Sequence, residues 1–229
     1  DSFDALTSPW PPTGFDAARA WRTEAGAGLD RYWHGTDLGT DTDTALESPP
    51  MTAGAGAVTV AFAHAYQFEF SNGVFFDGGV VEVTTDGGTT WRDVASLTSI
   101  PYDGPIDPDT GNVLAGQLAF GDTNPAYPAR DRLVLDFGTQ LAGTTFQLRF
   151  RIGTDAAVGG AGWDIDDLVV TGITNTPFPV VVADADACTA AEPSDDGGCC
   201  STGAGPGGSV AAGLAVAALL RRRRRVRRA

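Results

Sequence analysis

Phe75 to Val94 reads FFDGGVVEVTTDGGTTWRDV, and its pattern sets the expectation for the whole chain. Val80, Val81, Glu82, Val83, Thr84 and Thr85 are β-formers, and Thr89 to Val94 has the composition of a return strand. Between them, Asp86-Gly87-Gly88 is a turn signal, because glycine takes the positive φ that a tight hairpin needs. A β-hairpin is predicted here, and its neighbours read as further strands packed around it.

Immediately upstream, Ala57 to Phe70 alternates strictly. Val58, Val60, Phe62, His64, Tyr66, Phe68 and Phe70 fall on one face of a strand. Thr59, Ala61, Ala63, Ala65, Gln67 and Glu69 fall on the other, and so small a face predicts close cover. Downstream, Arg132–Phe137, Thr144–Ile152 and Gly162–Ile173 are strands, and Leu118–Phe120 is a short one. Phe146, Leu148, Phe150 and Ile152 share one face, with Gln147, Arg149 and Arg151 opposite. The irregular segment Ser99–Arg130 is long for a loop, the kind that is functional or packs over a core. Near the start, Asp1–Phe15 reads as a first strand and a Pro-rich loop, Trp21–Glu24 and Arg31–Trp33 as short strands, and His34–Glu47 as an exposed loop. Roughly eight to ten strands with Gly/Pro turns, and no helical periodicity before the tail, predict an all-β jelly-roll β-sandwich.

That sandwich is expected over residues 1–178, a flexible acidic Gly-rich linker with cysteines over 179–208, and a short hydrophobic helix with an Arg-rich end over 209–229. The 15 basic residues are all Arg, and seven of them lie in Arg221–Arg228. The preceding body sets 8 Arg against 29 acids, a net charge of −21, which excludes nucleic-acid binding by phosphate neutralisation. So acidic a body suits an extracellular protein or a collector of divalent cations. Cys188, Cys199 and Cys200 all lie after the body, so no disulfide supports it. The chain opens on Asp1 without a signal peptide and reads as a processed protein or a piece of a longer one.

Several catalytic classes find no residues here. The two histidines, His34 and His64, make no H-E-x-x-H, and His64 sits on an apolar strand face as a core histidine would. The body has no cysteine nucleophile, no G-x-S-x-G and no phosphate-binding loop. The acids of the last strand, Asp164, Asp166 and Asp167, with Asp4 from the first, are the candidate ligands of a calcium ion, which takes 6–8 oxygens. The alternative is that these acids pair with Arg149 or Arg151. Trp10, Trp33, Tyr102 and Tyr127 are the candidate ligand-binding residues, because loop aromatics stack on sugar faces or line a peptide groove. Packing of those loops on the core is their other use.

Four resemblances sharpen these expectations. Thr84-Thr85-Asp86-Gly87-Gly88-Thr89-Thr90-Trp91 is similar to the Asp box that sialidases repeat around a propeller. It occurs once, so it implies a self-stabilised hairpin with Trp91 packed inward rather than a sialidase. Gly162 to Val170, GWDIDDLVV, resembles the E-x-D-x-E strand of laminarinase-like glycosidases only in part. Asp164 replaces the first Glu, and Asp167 is out of phase. Segments 62–69, 77–83, 84–91, 150–155 and 162–168, taken in order, resemble the MAM-like jelly-roll accessory domains of secreted bacterial metalloproteases of the immune-inhibitor-A and fungalysin types. That resemblance implies a non-catalytic β-sandwich, often calcium-bound, that contacts glycans or extracellular proteins. Finally, Gly198-Cys199-Cys200, the apolar run Val210–Leu220 and Arg221–Arg228 resemble the myxobacterial MYXO-CTERM sorting signal. The run is short against the ~20 residues of a stable span. The resemblance implies export, membrane association through the tail, processing at Cys199 or Cys200 by a sorting protease, and display at the cell surface or outer membrane.

Overall fold

A computed structural model describes residues 1–178. The linker, hydrophobic helix and sorting tail predicted for 179–229 lie outside the described residues. The first third forms β1 (Pro12–Gly14), a one-turn helix α1 (Ala17–Ala20), β2 (Trp21–Ala25), β3 (Arg31–Gly35), β4 (Thr42–Glu47), β5 (Met51–Thr52) and β6 (Val58–Gln67). A small ribbon of β7 (Phe70–Ser71) and β8 (Val74–Phe75) leads into β9 (Gly78–Thr84) and β10 (Arg92–Asp93). Another ribbon, β11 (Gly104–Pro105) with β12 (Leu118–Ala119), precedes β13 (Asp131–Gly138), β14 (Thr145–Thr154) and β15 (Gly162–Thr171).

The long strands form two antiparallel sheets. One has the order β1-β4-β14-β9-β10, with β5 also on β14, and the other β13-β6-β15-β3-β2. The alternation of the sequence decides which side chains meet between them. Val58, Val60, Phe62, Tyr66 and Phe68 from β6 and beyond face Phe146, Leu148, Phe150 and Ile152 from β14, all at most 2 % exposed. Burying each such side chain contributes about 1.5–3 kcal/mol. Trp163 of β15 sits between the sheets, edge-on to Phe150 and Phe120 at 5.6 Å. Its ring explains Gly79: a Cβ there would lie 2.6 Å from Trp163, so β9 passes the indole only as glycine. His64 belongs to this core, as expected, accepting from Trp163 Nε1 at 3.3 Å. The small opposite face of β6 is largely covered, with Ala61 and Ala65 buried.

Several expectations are corrected. His34–Glu47 contains β4, not only loop, and pairs with β14 along Thr42–Glu47. Its alternating Thr and Asp hid a strand whose Thr42 and Thr44 are buried at the sheet interior. Asp1–Asp4 forms no strand, although Asp1 and Leu168 exchange two backbone hydrogen bonds, so chain start and last strand do adjoin. The hairpin around Asp86 exists, but its return strand is only Arg92–Asp93. Trp91 does not pack inward; it lies half-buried beneath the Arg149 guanidinium, 4.5 Å from the ring centre. Ser99–Arg130 packs over the core as expected: Ile106, Leu114 and Ala119 join Val80 in a second small apolar cluster.

Candidate functional site

The outward face of the β13-β6-β15-β3-β2 sheet carries a groove of about 380 Å³. Strand register assembles it. Ala65, Asp164, His34 and Arg22 lie opposite one another across β6, β15, β3 and β2. Two residues along, Tyr32 opposes Glu24. Tyr127, 41 % exposed, closes the groove from the loop before β13. The polar groups are held by one another. His34 Nδ1 donates to Asp164 Oδ1 at 2.7 Å, and Arg22 bonds both Glu24 and, at 2.6 Å, the Thr36 hydroxyl. Behind Tyr32, the Arg130 guanidinium covers the ring at 4.2 Å. Arg130 is in turn paired with the buried Asp166 at 2.7 Å. Burial pushes the Asp166 carboxyl up to about 6, against the opposing pull of the Asp167 amide and Arg130.

Of the four aromatic candidates, only Tyr127 lines this groove. Trp10 and Trp33 are core residues: Trp10 stacks on Phe150 at 5.9 Å and donates to Asp1, and Trp33 donates to Ser8. Tyr102 is pinned by its hydroxyl, which accepts from Val81 N and donates to Asp93, with its ring on Phe120. Trp10 and Tyr102 belong to loops that fold back onto apolar surface, and Trp33 points inward from β3; in each place a large ring is worth more buried than wet. Tyr32, Arg22 and Glu24 are not among the candidates drawn from the sequence; their signal is the alternation against Trp21 and Trp33 on the same short strands.

The calcium candidates are not brought together. Asp4 accepts from Arg31 N at 2.9 Å. Asp164 is bonded to His34 and Asp166 to Arg130. Asp167 is the extra residue of a β-bulge at φ 48°, exposed, so its side chain leaves the line of the other two. Nor do Arg149 and Arg151 pair with these acids, as the alternative had it; they bind Glu82 and Asp43 instead.

A different set of acids does converge, where four strands of both sheets end. Asp37 follows β3, Glu69 follows β6, Asp77 precedes β9 and Asp155 follows β14. One carboxylate oxygen from each of Glu69, Asp77 and Asp155 lies within 4.8 Å of the others. Asp37 Oδ2 accepts from Glu69 N at 3.0 Å and Gly160 N at 2.7 Å. Asp77 Oδ1 accepts from Asp155 N at 2.6 Å, and Asp155 Oδ1 from Ala157 N at 2.7 Å. Burial raises the carboxyls of Asp37, Asp77 and Glu69, and for Asp77 the adjacent Asp37 charge adds to it. The loop 159–162 links cluster and groove: Gly160 N holds Asp37, Ala161 N donates to Gln67 Oε1, and Gly162 lines the groove. The oxygen-only donor set fits the calcium that the family resemblance implies.

No family model matches the sequence, and no curated protein matches it. Solved structures do. The carbohydrate-binding module TmCBM61, in complex with β-1,4-galactotriose, is 12% identical, with 71% of this chain and 87% of that one covered and a TM-score of 0.41. The K1 cleaved adhesin domain of Lys-gingipain from Porphyromonas gingivalis W83 is also 12% identical, with 75% and 96% covered and a TM-score of 0.43. The module CBM6cm-2 of Cellvibrio mixtus lichenase 5A, in complex with cellotriose, is 11% identical, with 74% and 92% covered and a TM-score of 0.29. At such values the functional reading rests on the geometry of this chain.

Proposed function

We propose that this chain is a non-catalytic β-sandwich module that binds glycan in the Tyr32–Tyr127 groove. The observation that carries the reading is the groove itself: two tyrosine rings beside a ring of hydrogen-bonding side chains that already hold one another in place. Tyrosine offers an apolar face to the C–H side of a sugar at low entropic cost, and fixed Asp, His, Arg and Glu groups serve its hydroxyls. A glycosidase needs two carboxylates poised across the bond, one of them a proton donor. Here Asp164 is bonded to His34, Glu24 to Arg22 and Asp166 to Arg130, and these pairings favour binding over hydrolysis. The resemblance to metalloprotease accessory domains supports a place beside a secreted hydrolase. The resemblance of the tail to a sorting signal supports export and surface display after processing at Cys199 or Cys200.

The test is a glycan array followed by calorimetry on the best hit, with Tyr127→Ala and Tyr32→Ala. Each variant is expected to bind about tenfold more weakly, the loss of one stacking ring. Binding unchanged in both variants would move the site elsewhere. An extracellular protein captured through the same two tyrosines, with no glycan bound, would replace glycan by protein as the ligand. Polysaccharide hydrolysis abolished by Asp164→Asn would make the chain an enzyme.

A further inference from the structure

Glu69, Asp77 and Asp155, drawn from three loops, bring one carboxylate oxygen each within 4.8 Å of the others at one end of the sandwich, and the Asp37 carboxyl, from a fourth loop, stands beside Asp77. Asp37 is 3 % exposed and Asp77 is fully buried. Among the described residues, none of the four is in an ion pair. Three carboxylate oxygens, Asp37 Oδ1, Glu69 Oε2 and Asp77 Oδ2, are buried with no hydrogen-bond partner. Buried polar atoms in native proteins are nearly always satisfied, and a buried charge without a partner is costlier still. Three orphans in one cluster, all acceptors, call for a cation that accepts several oxygens at once.

We propose that Asp37, Glu69, Asp77 and Asp155 hold a single calcium ion that ties the two sheets together at this end. The chemistry selects it. All donors are carboxylate oxygens, which suit a hard divalent cation, and there is no His or Cys to favour zinc. Oxygens bound to one calcium at ~2.3–2.6 Å lie at most about 5 Å apart, as those of Glu69, Asp77 and Asp155 do. Loop-borne carboxylates suit the variable geometry of calcium better than the strict octahedron of magnesium. Backbone amides from Glu69, Asp155, Ala157 and Gly160 already orient the carboxyls, leaving the orphaned oxygens for the ion. The site is independent of what the groove binds.

The experiment is calorimetric titration of calcium into the EDTA-treated, dialysed full chain, with melting curves in calcium and in EDTA. One ion per chain is expected, with a rise in Tm of about 10 °C at calcium a thousandfold above Kd. Asp77→Asn and Asp37→Asn should each weaken calcium binding at least tenfold and remove about a third or more of that rise. In EDTA, Asp77→Asn should melt no lower than the unsubstituted chain, because the amide keeps an oxygen for the Asp155 N–H and can hydrogen-bond Asp37 as a protonated Asp77 would. A purely structural Asp77 would instead lower Tm in both conditions, and that result would overturn the proposal. So would no calcium shift in the unsubstituted chain, or a full shift retained in both variants. Asp164→Asn should keep the whole shift, and an equal shift from magnesium would overturn the choice of calcium.

Discussion

The acids on the outer face of β15 and the acids at the strand ends have the same chemistry in opposite settings. Asp164 and Asp166 each meet a basic side chain, His34 and Arg130, and the pairs brace the groove. Among the described residues, Asp37, Glu69, Asp77 and Asp155 meet one another, backbone amides and the neutral Asn112 amide, and no base. Neighbouring strands of a sheet carry both signs of charge on one face, so acids there find partners across the register. Strand ends bring together loops from both sheets, and these four loops contribute no base to the cluster. The density of acids along a strand therefore says little about metal binding. The convergence of acids without a base says more.

His64 tests the same rule with the opposite sign and the largest effect. Among the described residues it is a buried base with no acid bonded to it, and burial pushes its imidazole down to about 4. The unfolded chain then binds one more proton than the folded one between pH 6.5 and 4, so stability falls as pH drops through that window. At ~1.4 kcal/mol per pH unit the full loss is about 3 kcal/mol. His64→Gln keeps an acceptor for Trp163 Nε1 and removes the titration. Urea unfolding in EDTA at pH 7 and 4.5 should show the unsubstituted chain losing this stability relative to the variant. A difference between the two proteins that does not change with pH would contradict the burial account.

Arg130→Met comes next. It keeps apolar cover on Tyr32 but leaves Asp166 buried without its cation. Removing one partner of a buried pair costs ~3–5 kcal/mol, and a quarter of the Arg130 side chain is in water, so about 2 kcal/mol is expected at pH 8. The Asp166 carboxyl titrates high in the fold, so its neutral form is stabilising at low pH and that stability is lost as pH rises through about 6. The cost of Arg130→Met should accordingly shrink toward pH 4. Adding Asp166→Asn should recover most of it at pH 8. A penalty that is equal at both pH values would mean that the ion pair does not matter and only packing was lost.

How much of this was legible in the chain depends on what alternates. β6 and β14 were plain because large apolar residues recur at every second position, and the sheet core follows from them. β4 was hidden because Thr42 and Thr44 occupy its inward positions beside one face of Asp and Glu, so its period looked like polar loop. The acid cluster was unreadable for another reason. Its members stand at 37, 69, 77 and 155, with no local spacing to betray them, and only the strand order joins them. Asp77-Gly78-Gly79 opens one of the segments that carry the family resemblance. Its physical content, an acid at the cluster followed by the glycines that clear Ile106 and Trp163, needed the fold.

Asp86 is a third kind of acid and the smallest test. It is exposed and, among the described residues, pairs with no base, yet its oxygens are occupied: Thr84 Oγ1 donates to Oδ1 at 2.7 Å, Thr90 N to the same oxygen at 2.9 Å, and Thr90 Oγ1 to Oδ2 at 2.6 Å. Those bonds hold its carboxyl down to about 2. A depressed carboxyl stabilises the fold above its unfolded pKa and ceases to do so as pH falls through its folded one. Asp86→Ala should therefore lower Tm by roughly 2–4 °C at pH 7, the scale of one net hydrogen bond in a domain of this size, and by almost nothing near pH 2. Calcium and glycan titrations should be untouched, because the turn at Gly87-Gly88 lies away from both sets of residues. If Asp86→Ala abolished either titration, hydroxyl-satisfied acids would have to join the functional ones, and the distinction between acids with partners and acids without would no longer locate the site.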